Sequence, residues 1–109
     1  MKKKEAIITN PTKLYTLVFL YKKPKCGYRL IQDFNFFLGK KLSPGQIYPL
    51  LKELVKEGLV EVKEEYTGLR KRKVYKLTEK GMKVCKDAIL RLLDVISLVI
   101  KEKTNYQMG

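Results

Sequence analysis

Ser43-Pro44-Gly45-Gln46-Ile47-Tyr48-Pro49-Leu50-Leu51-Lys52-Glu53-Leu54-Val55-Lys56-Glu57 is the run that decides this fold. Ser43 can accept from the orphan amide of Gln46 while the Gln46 side chain reaches back to the Ser43 N–H. That is a capping box, with Pro44 at the first helical position, where its missing N–H is no loss. Ile47, Leu50, Leu51 and Leu54 recur at helical spacing and predict a buried stripe, which leaves Gln46, Pro49, Lys52, Glu53 and Lys56 outside. Pro49 removes one internal hydrogen bond and predicts a local bend, and Gly58 ends the helix. A well-started helix with a polar, largely basic outer face has the form of one that lies in the DNA major groove.

Upstream, Gly39-Lys40-Lys41-Leu42 is a short turn, and a helix from Tyr28 to about Leu38 precedes it, with Leu30, Ile31, Phe34, Phe37 and Leu38 at core spacing. Phe36 falls on the other face beside Arg29 and Asp33. Two short helices joined by a glycine-containing turn predict a helix-turn-helix. Further back, Asn10-Pro11 starts a helix that should run to about Lys22 before Lys23-Pro24 ends it. Leu14, Leu17, Val18 and Tyr21 form one apolar face, and Tyr15, Phe19 and Leu20 carry that surface around most of the cylinder. A helix apolar nearly all round must be covered on both sides, and a domain this small has too few helices to do so alone. Residues 1–8 read as a basic arm leading into Ala6, Ile7 and Ile8, with no function assigned.

Downstream of Gly58 the period changes from helical to alternating. Residues 59–66 and 72–77 predict two strands of a hairpin, with Val60, Val62, Tyr75 and Leu77 on its inner face and Thr67-Gly68-Leu69-Arg70-Lys71 as the connection. Arg70, Lys71, Arg72 and Lys73 repel one another unless an anion accompanies them, so the hairpin reads as a wing against phosphates; the bland alternative is a solvated loop. Thr78 caps a last helix from Glu79 to about Lys103, roughly 37 Å long at about 1.5 Å per residue. Cys85, Ile89, Leu92, Ile96 and Val99 alternate by four and three, as a coiled-coil seam does, and Ala88, Leu93, Val95 and Ile100 widen the stripe. A helix this long should extend past its own body and leave an association surface. Thr104 to Gly109 is expected to fray.

The chain has 109 residues, with 24 Lys and Arg against 11 Asp and Glu, a formal charge of +13 that calls for a polyanionic partner, nucleic acid first. No run reaches the roughly 18 apolar residues of a spanning helix, and Met1-Lys-Lys-Lys has no apolar region behind it to make a signal peptide, so the expected compartment is the cytoplasm. With no histidine, no glycine-rich phosphate loop and no carboxylate pair set apart by its surroundings, nothing resembles a nucleophile with its base, and an enzyme is not expected. Cys26 and Cys85 lack metal-ligand spacing and read as small buried apolar side chains, a disulfide or thiol switch being the alternative. No cofactor is expected, and no pattern supports a small-molecule effector.

The fold class is therefore α+β, mostly α: a winged helix-turn-helix of three helices and a two-stranded wing over residues 1–78, followed by a long dimerisation helix and tail over 79–109. The expected contacts to double-stranded DNA are Lys40, Lys41, Ser43, Gln46, Tyr48, Pro49, Lys52 and Lys56, with Arg70, Lys71, Arg72 and Lys73 of the wing. Gln46 is the best placed for a base edge, Lys52 for a guanine or a phosphate, and Tyr48 for a phosphate. The expected homodimer contacts are Leu14, Tyr15, Phe19, Cys85, Ala88, Ile89, Leu92, Leu93, Ile96 and Val99. A non-specific architectural DNA binder is the serious rival, since +13 suits it and phosphate contacts need no base readout; the capped helix with Gln46 and Lys52 outward argues for specific recognition. A protein-binding winged helix would leave the basic wing unexplained.

Several runs resemble the PadR family of transcriptional regulators: Pro24, Gly27-Tyr28 and Leu30; residues 42–54; Glu57-Gly58-Leu59-Val60; and Val74-Tyr75-Lys76-Leu77-Thr78-Glu79-Lys80-Gly81. They extend over about residues 14–81, and the Ser-Pro-Gly-x-Ile-Tyr-Pro-x-Leu run is the most specific. The resemblance implies a homodimeric repressor whose C-terminal helix packs on the partner's N-terminal helix. Two departures stand out. The family's Gly-Arg-Pro-Arg wing tip is here Gly68-Leu69-Arg70-Lys71-Arg72, and the absence of Trp means that the binding of flat aromatic compounds between tryptophans does not carry over.

Overall fold

The computed structural model describes residues 7–108, with side chains described for residues 7–101. The basic arm of residues 1–6 and the terminal Gly109 lie outside the described residues. A 3-10 turn, Ile7–Thr9, leads into α1 (Pro11–Leu20), β1 (Lys25–Cys26), α2 (Gly27–Leu38), α3 (Pro44–Lys56), β2 (Val60–Thr67), β3 (Arg70–Leu77) and α4 (Glu79–Met108). This is the expected winged-helix order with one addition: the short β1 joins the hairpin to make a three-stranded antiparallel sheet, β1-β3-β2. Two residues flanked by a proline and a helix carry no alternation that could reveal a strand; Lys25 and Cys26 are extended because they pair with Tyr75 and Val74.

Leu17, Leu20, Leu30, Phe34, Ile47, Leu51, Leu54, Val60, Tyr75, Leu77 and Cys85 form one core drawn from every helix and all but the shortest strand. Helix α3 contributes the predicted stripe, with Leu50 half-buried at its edge. It ends in a Schellman motif: Leu59 N–H donates to Leu54 O (3.0 Å) and Gly58 N–H to Val55 O (3.0 Å), with Gly58 at φ 77°. Leu59 and Leu54 are both buried, which supplies the apolar contact that accompanies this motif.

A buried cation fixes α3 from behind. Lys13 of α1, 7 % exposed, places its ammonium 2.6 Å from Glu57 and 3.1 Å from Glu53. Burial alone would lower its pKa, but the two carboxylates outweigh that and hold it above the ordinary 10.5. A raised lysine stabilises the fold fully below its unfolded pKa and loses that contribution only as pH rises through the folded value. This clamp is therefore intact at neutral pH.

Several expectations are corrected. Helix α1 stops at Leu20, two residues short of Lys22, and α4 continues helical to Met108 where a frayed tail from Thr104 was expected. Phe37 and Leu38 are exposed, because α2 outlasts the body it packs on; Phe37 stacks on Phe19 and meets Phe36 edge-on, both at the surface side of α2. Asp33 is buried instead of sharing an outer face with Phe36, since Lys25 of the unforeseen strand pairs with it. Val62 is 39 % exposed, because it faces an open groove beside α3 and is not packed into the core. Cys85 is buried, which pushes its thiol up and leaves it protonated, whereas Cys26 is only half-buried on the edge strand.

Helix α4 is about 45 Å long at about 1.5 Å per residue and sets the long dimension of a 64 × 37 × 24 Å molecule. Its first turn is capped by Thr78, whose hydroxyl accepts from Gly81 N–H (3.0 Å) and donates to Gly58 O (2.6 Å). From Leu90 onward it leaves the body, and Leu90, Leu93, Val95, Ile96, Leu98, Val99 and Ile100 are exposed. Leu14, Cys85 and Ala88 are the exceptions among the expected partner contacts: each is buried in the chain's own fold and offers nothing to a second copy. Tyr15, Leu93, Ile96 and Val99 stay exposed, and Phe19, Ile89 and Leu92 are half-buried.

Candidate nucleic-acid interface

The N-terminal end of α3 presents Ser43 and Gln46, with Lys40 and Lys41 exposed in the preceding turn. The back-reaching half of the capping box is formed, Ser43 N–H donating to Gln46 Oε1 at 2.9 Å. The Ser43 hydroxyl turns to the same oxygen at 3.3 Å, and the Gln46 N–H donates to the Ser43 carbonyl at 3.0 Å. Gln46 thus serves its own helix through Oε1 while the residue stays exposed. Gln46, Pro49, Lys52 and Lys56 are all exposed along one side, and the helix is continuous through Pro49.

The wing differs from expectation in length and tip. Pairing continues to Thr67 opposite Arg70, so the turn is only Gly68-Leu69, with Gly68 at φ 65°, and Arg70 and Lys71 belong to β3. Alternation then divides the four basic residues between two faces. Lys71 and Lys73 share a face with Tyr75, opposite Tyr66 and Glu64; Arg70 and Arg72 share the other, opposite Thr67 and Glu65. The repulsion expected among them is partly relieved from β2, where Lys71 is 2.6 Å from Glu64. Arg70, Arg72 and Lys73 make no ion pair among the described residues, and all three are exposed.

Between α3 and the root of the wing lies a groove of about 670 Å³ lined by Tyr48, Pro49, Lys52, Val55, Val62, Lys73 and Tyr75. It brings together four expected contacts, Tyr48, Pro49, Lys52 and Lys73, from sequence positions up to 25 apart. Lys40, Lys41, Ser43 and Gln46 lie at the N-terminal end of α3, Lys56 at its far end, and Arg70, Lys71 and Arg72 farther out along the wing. Tyr75 and Val62 were expected only as inner-face residues, yet both wall this groove. Tyr75 is 6 % exposed; burial raises its pKa and the neighbouring Tyr48 phenol adds to the rise, so the Tyr75 phenol remains a neutral donor at neutral pH. The residues that could hold an anion here are lysines, arginines and phenols. Among the described residues, no group of three or more His, Cys, Asp and Glu could hold a metal ion, and no helix is long and apolar enough to cross a membrane.

Comparison with known proteins identifies the family of this fold. The model of the PadR-like transcriptional regulator family matches residues 16–87. Transcriptional activator GvpE1 of Halobacterium salinarum is 36 % identical over 99 residues, 89 % of this chain and 50 % of that protein. Transcriptional activator GvpE of Haloferax mediterranei is 33 % identical over 97 residues, 87 % of this chain and 48 % of its own length. The chain therefore spans about half the length of these curated relatives. Among solved structures, the regulator TA0346 of Thermoplasma acidophilum superposes with a TM-score of 0.74 at 29 % identity, covering 92 % of this chain and 97 % of that one. Bacillus subtilis PadR, solved in complex with operator DNA, gives 0.66 at 31 % identity over 72 % of this chain and 46 % of its own. The family is one of transcriptional regulators, not of enzymes, and by the match over its helices, wing and first turns of α4 this chain belongs to the PadR-like family of transcriptional regulators.

Proposed function

We propose that the chain binds double-stranded DNA sequence-specifically, as a cytoplasmic homodimer on an inverted-repeat operator. The observation that carries this is the exposed stripe of Gln46, Pro49, Lys52 and Lys56 on a helix whose other side is locked into the core, set beside a basic wing. In this reading α3 enters the major groove, Lys40, Lys41, Ser43 and Tyr48 hold the backbone beside it, and the wing reaches the flanking phosphates. Gln46 supplies the base contact. Its Oε1 lies in the cap, so a bidentate contact to adenine must share or release the Ser43 hydrogen bond, while Nε2 is free to donate to a purine N7. The open face of α4, from Ile89 to Val99, pairs with a second copy and with the partner's first helix at Tyr15 and Phe19. Residues 79–109 then act as the dimerisation unit of a DNA-binding domain formed by 1–78.

Repression follows if the operator overlaps the promoter. The two haloarchaeal relatives are named transcriptional activators, which favours activation as a second reading. A reporter driven by a promoter that the protein occupies separates them: induction lowers the signal in the first case and raises it in the second. Competition between a selected duplex and random duplex separates both from an architectural binder, for which random DNA competes equally.

Salt dependence tests the wing. Arg70 and Arg72 share one face of β3, and neither is held by an acidic neighbour among the described ion pairs. Replacing both with Ala should flatten the slope of log affinity against log salt by roughly 0.9 for each phosphate no longer neutralised, with base preference unchanged. A slope that ignores both substitutions would place the wing off the DNA.

A further inference from the structure

We propose that Gly27 is a positioning residue for Tyr48: having no side chain, it seats the Tyr48 phenol at the mouth of the groove between α3 and the wing, where the hydroxyl takes a backbone phosphate flanked by Lys52 and Lys73. The proposal rests on the DNA-binding reading above and adds to it a residue that touches no DNA. A Cβ on Gly27 would stand 2.6 Å from Tyr48 Cε1 and Cζ and 2.7 Å from its hydroxyl oxygen, well inside contact distance. The backbone does not demand glycine here, because the positive-φ glycines are Gly39, Gly58 and Gly68. Gly27 opens α2, where alanine is at least as good a helix former. What it supplies is room. Its position is fixed by the preceding residue, since Cys26 pairs with Val74 in β3.

The far side of the groove is walled by Tyr75, whose buried phenol senses that of Tyr48. Tyr48 is thus confined between the start of α2 and the root of the wing, yet 42 % exposed. Lys52 follows it by one helical turn, and Lys73 sits two residues before Tyr75 on the same strand face. Neither lysine makes an ion pair among the described residues, so two ammonium groups and one phenol O–H face the same opening without an anion of the chain's own. A phosphate diester matches that set: it brings the negative charge, and it accepts from all three donors.

The test is a double-mutant cycle read by fluorescence anisotropy on a mixed-sequence duplex of about 30 base pairs, with melting temperature followed by circular dichroism. Tyr48→Phe keeps the ring and removes the donor, and should weaken binding by roughly tenfold, as loss of a hydrogen bond to a charged group does. Gly27→Ala should weaken it by a similar factor with the fold intact, and in the Tyr48→Phe background it should add less than about a further twofold. If Gly27→Ala weakens binding equally in both backgrounds, it acts on something other than the phenol, and the positioning role is overturned. If Tyr48→Phe binds as tightly as wild type, the phosphate contact is overturned while the DNA-binding reading stands; wild-type protein that binds no duplex overturns that reading itself. Should Gly27→Ala lower the melting temperature, adding Tyr48→Ala must restore it by removing the ring it meets, and failure to restore it also overturns the proposal.

Discussion

Ile96→Asp combined with Val99→Asp is expected to convert the protein from dimer to monomer and to weaken its binding to an operator-length duplex by about a hundredfold or more. Both side chains are exposed, 42 % and 68 %, on the part of α4 that has left the body, so neither substitution disturbs the packing that holds the monomer together. In a symmetric dimer the pair becomes four carboxylates facing one another in a seam of leucine, isoleucine and valine. Burying each of the original side chains fully is worth about 1.5–3 kcal/mol, and placing unpaired charge there costs more than that gain. Loss of DNA affinity follows from geometry: two linked half-sites bind with an effective concentration that one alone lacks. Light scattering at micromolar concentration should give twice the chain mass for wild type and the chain mass for the variant, with matching helical circular dichroism. A monomeric wild type would sink the dimer. Substituting Leu14, Cys85 or Ala88 is a different experiment, because these are buried within one chain and their loss should lower stability before it alters assembly.

Gly81→Ala should be the most damaging single-methyl change in the molecule, lowering stability by about 3 kcal/mol and the melting temperature by roughly 10–20 °C. A Cβ at this position would run into the carbonyl oxygen of Leu59, with the Leu59 carbon at 2.9 Å. Backbone on one side and a helix on the other leave no flexible group to give way. That carbonyl also accepts from Thr78 N–H at 3.1 Å, and Thr78 caps α4, so a shift there loosens the junction of α3, the β2–β3 hairpin and α4 together. Gly45→Ala is the contrasting control. It lies in the first turn of α3 with only Ser43 Oγ near, at 3.7 Å, and should gain roughly 0.5 kcal/mol from helix propensity. Thermal melts of the two variants side by side decide the matter; equal melting temperatures would mean that α4 can move away from Leu59 without cost.

The parts of this fold that were legible in the sequence are those written in local chemistry. Pro44 after Ser43, the stripe of Ile47, Leu51 and Leu54, the stop at Gly58 and the alternation after it are set by neighbours in the chain, and each element appears where its signals stand. The misreadings arise where a distant residue decides. Lys25 and Cys26 become a strand only because β3 passes beside them. Asp33 is buried only because Lys25 arrives, and Phe37 stays open because Phe19 of α1 covers only one side of its ring at the end of α2. Within the candidate interface, the residue types were legible but not their grouping. Tyr48, Lys52 and Lys73 meet in one groove because the wing folds back along α3, while Arg70 and Arg72 turn to the opposite face through strand alternation once the turn shortens to two residues. The fit of Tyr48 against Gly27 spans 21 positions of sequence and has no periodic signature at all.

Two copies of α3, related by a two-fold axis and reading two half-sites, are the centre of this account, and selection of binding sites from a random duplex pool tests them most directly. Wild-type protein should enrich an inverted repeat whose half-site centres lie about 34 Å apart, one helical turn of DNA. Gln46→Ala should keep the repeat but lose preference at one symmetric pair of base positions, since a good bidentate contact is worth about 1–3 kcal/mol of discrimination. A pool that binds tightly yet contains no two-fold symmetric motif would contradict the account and leave a protein that holds DNA by its phosphates alone.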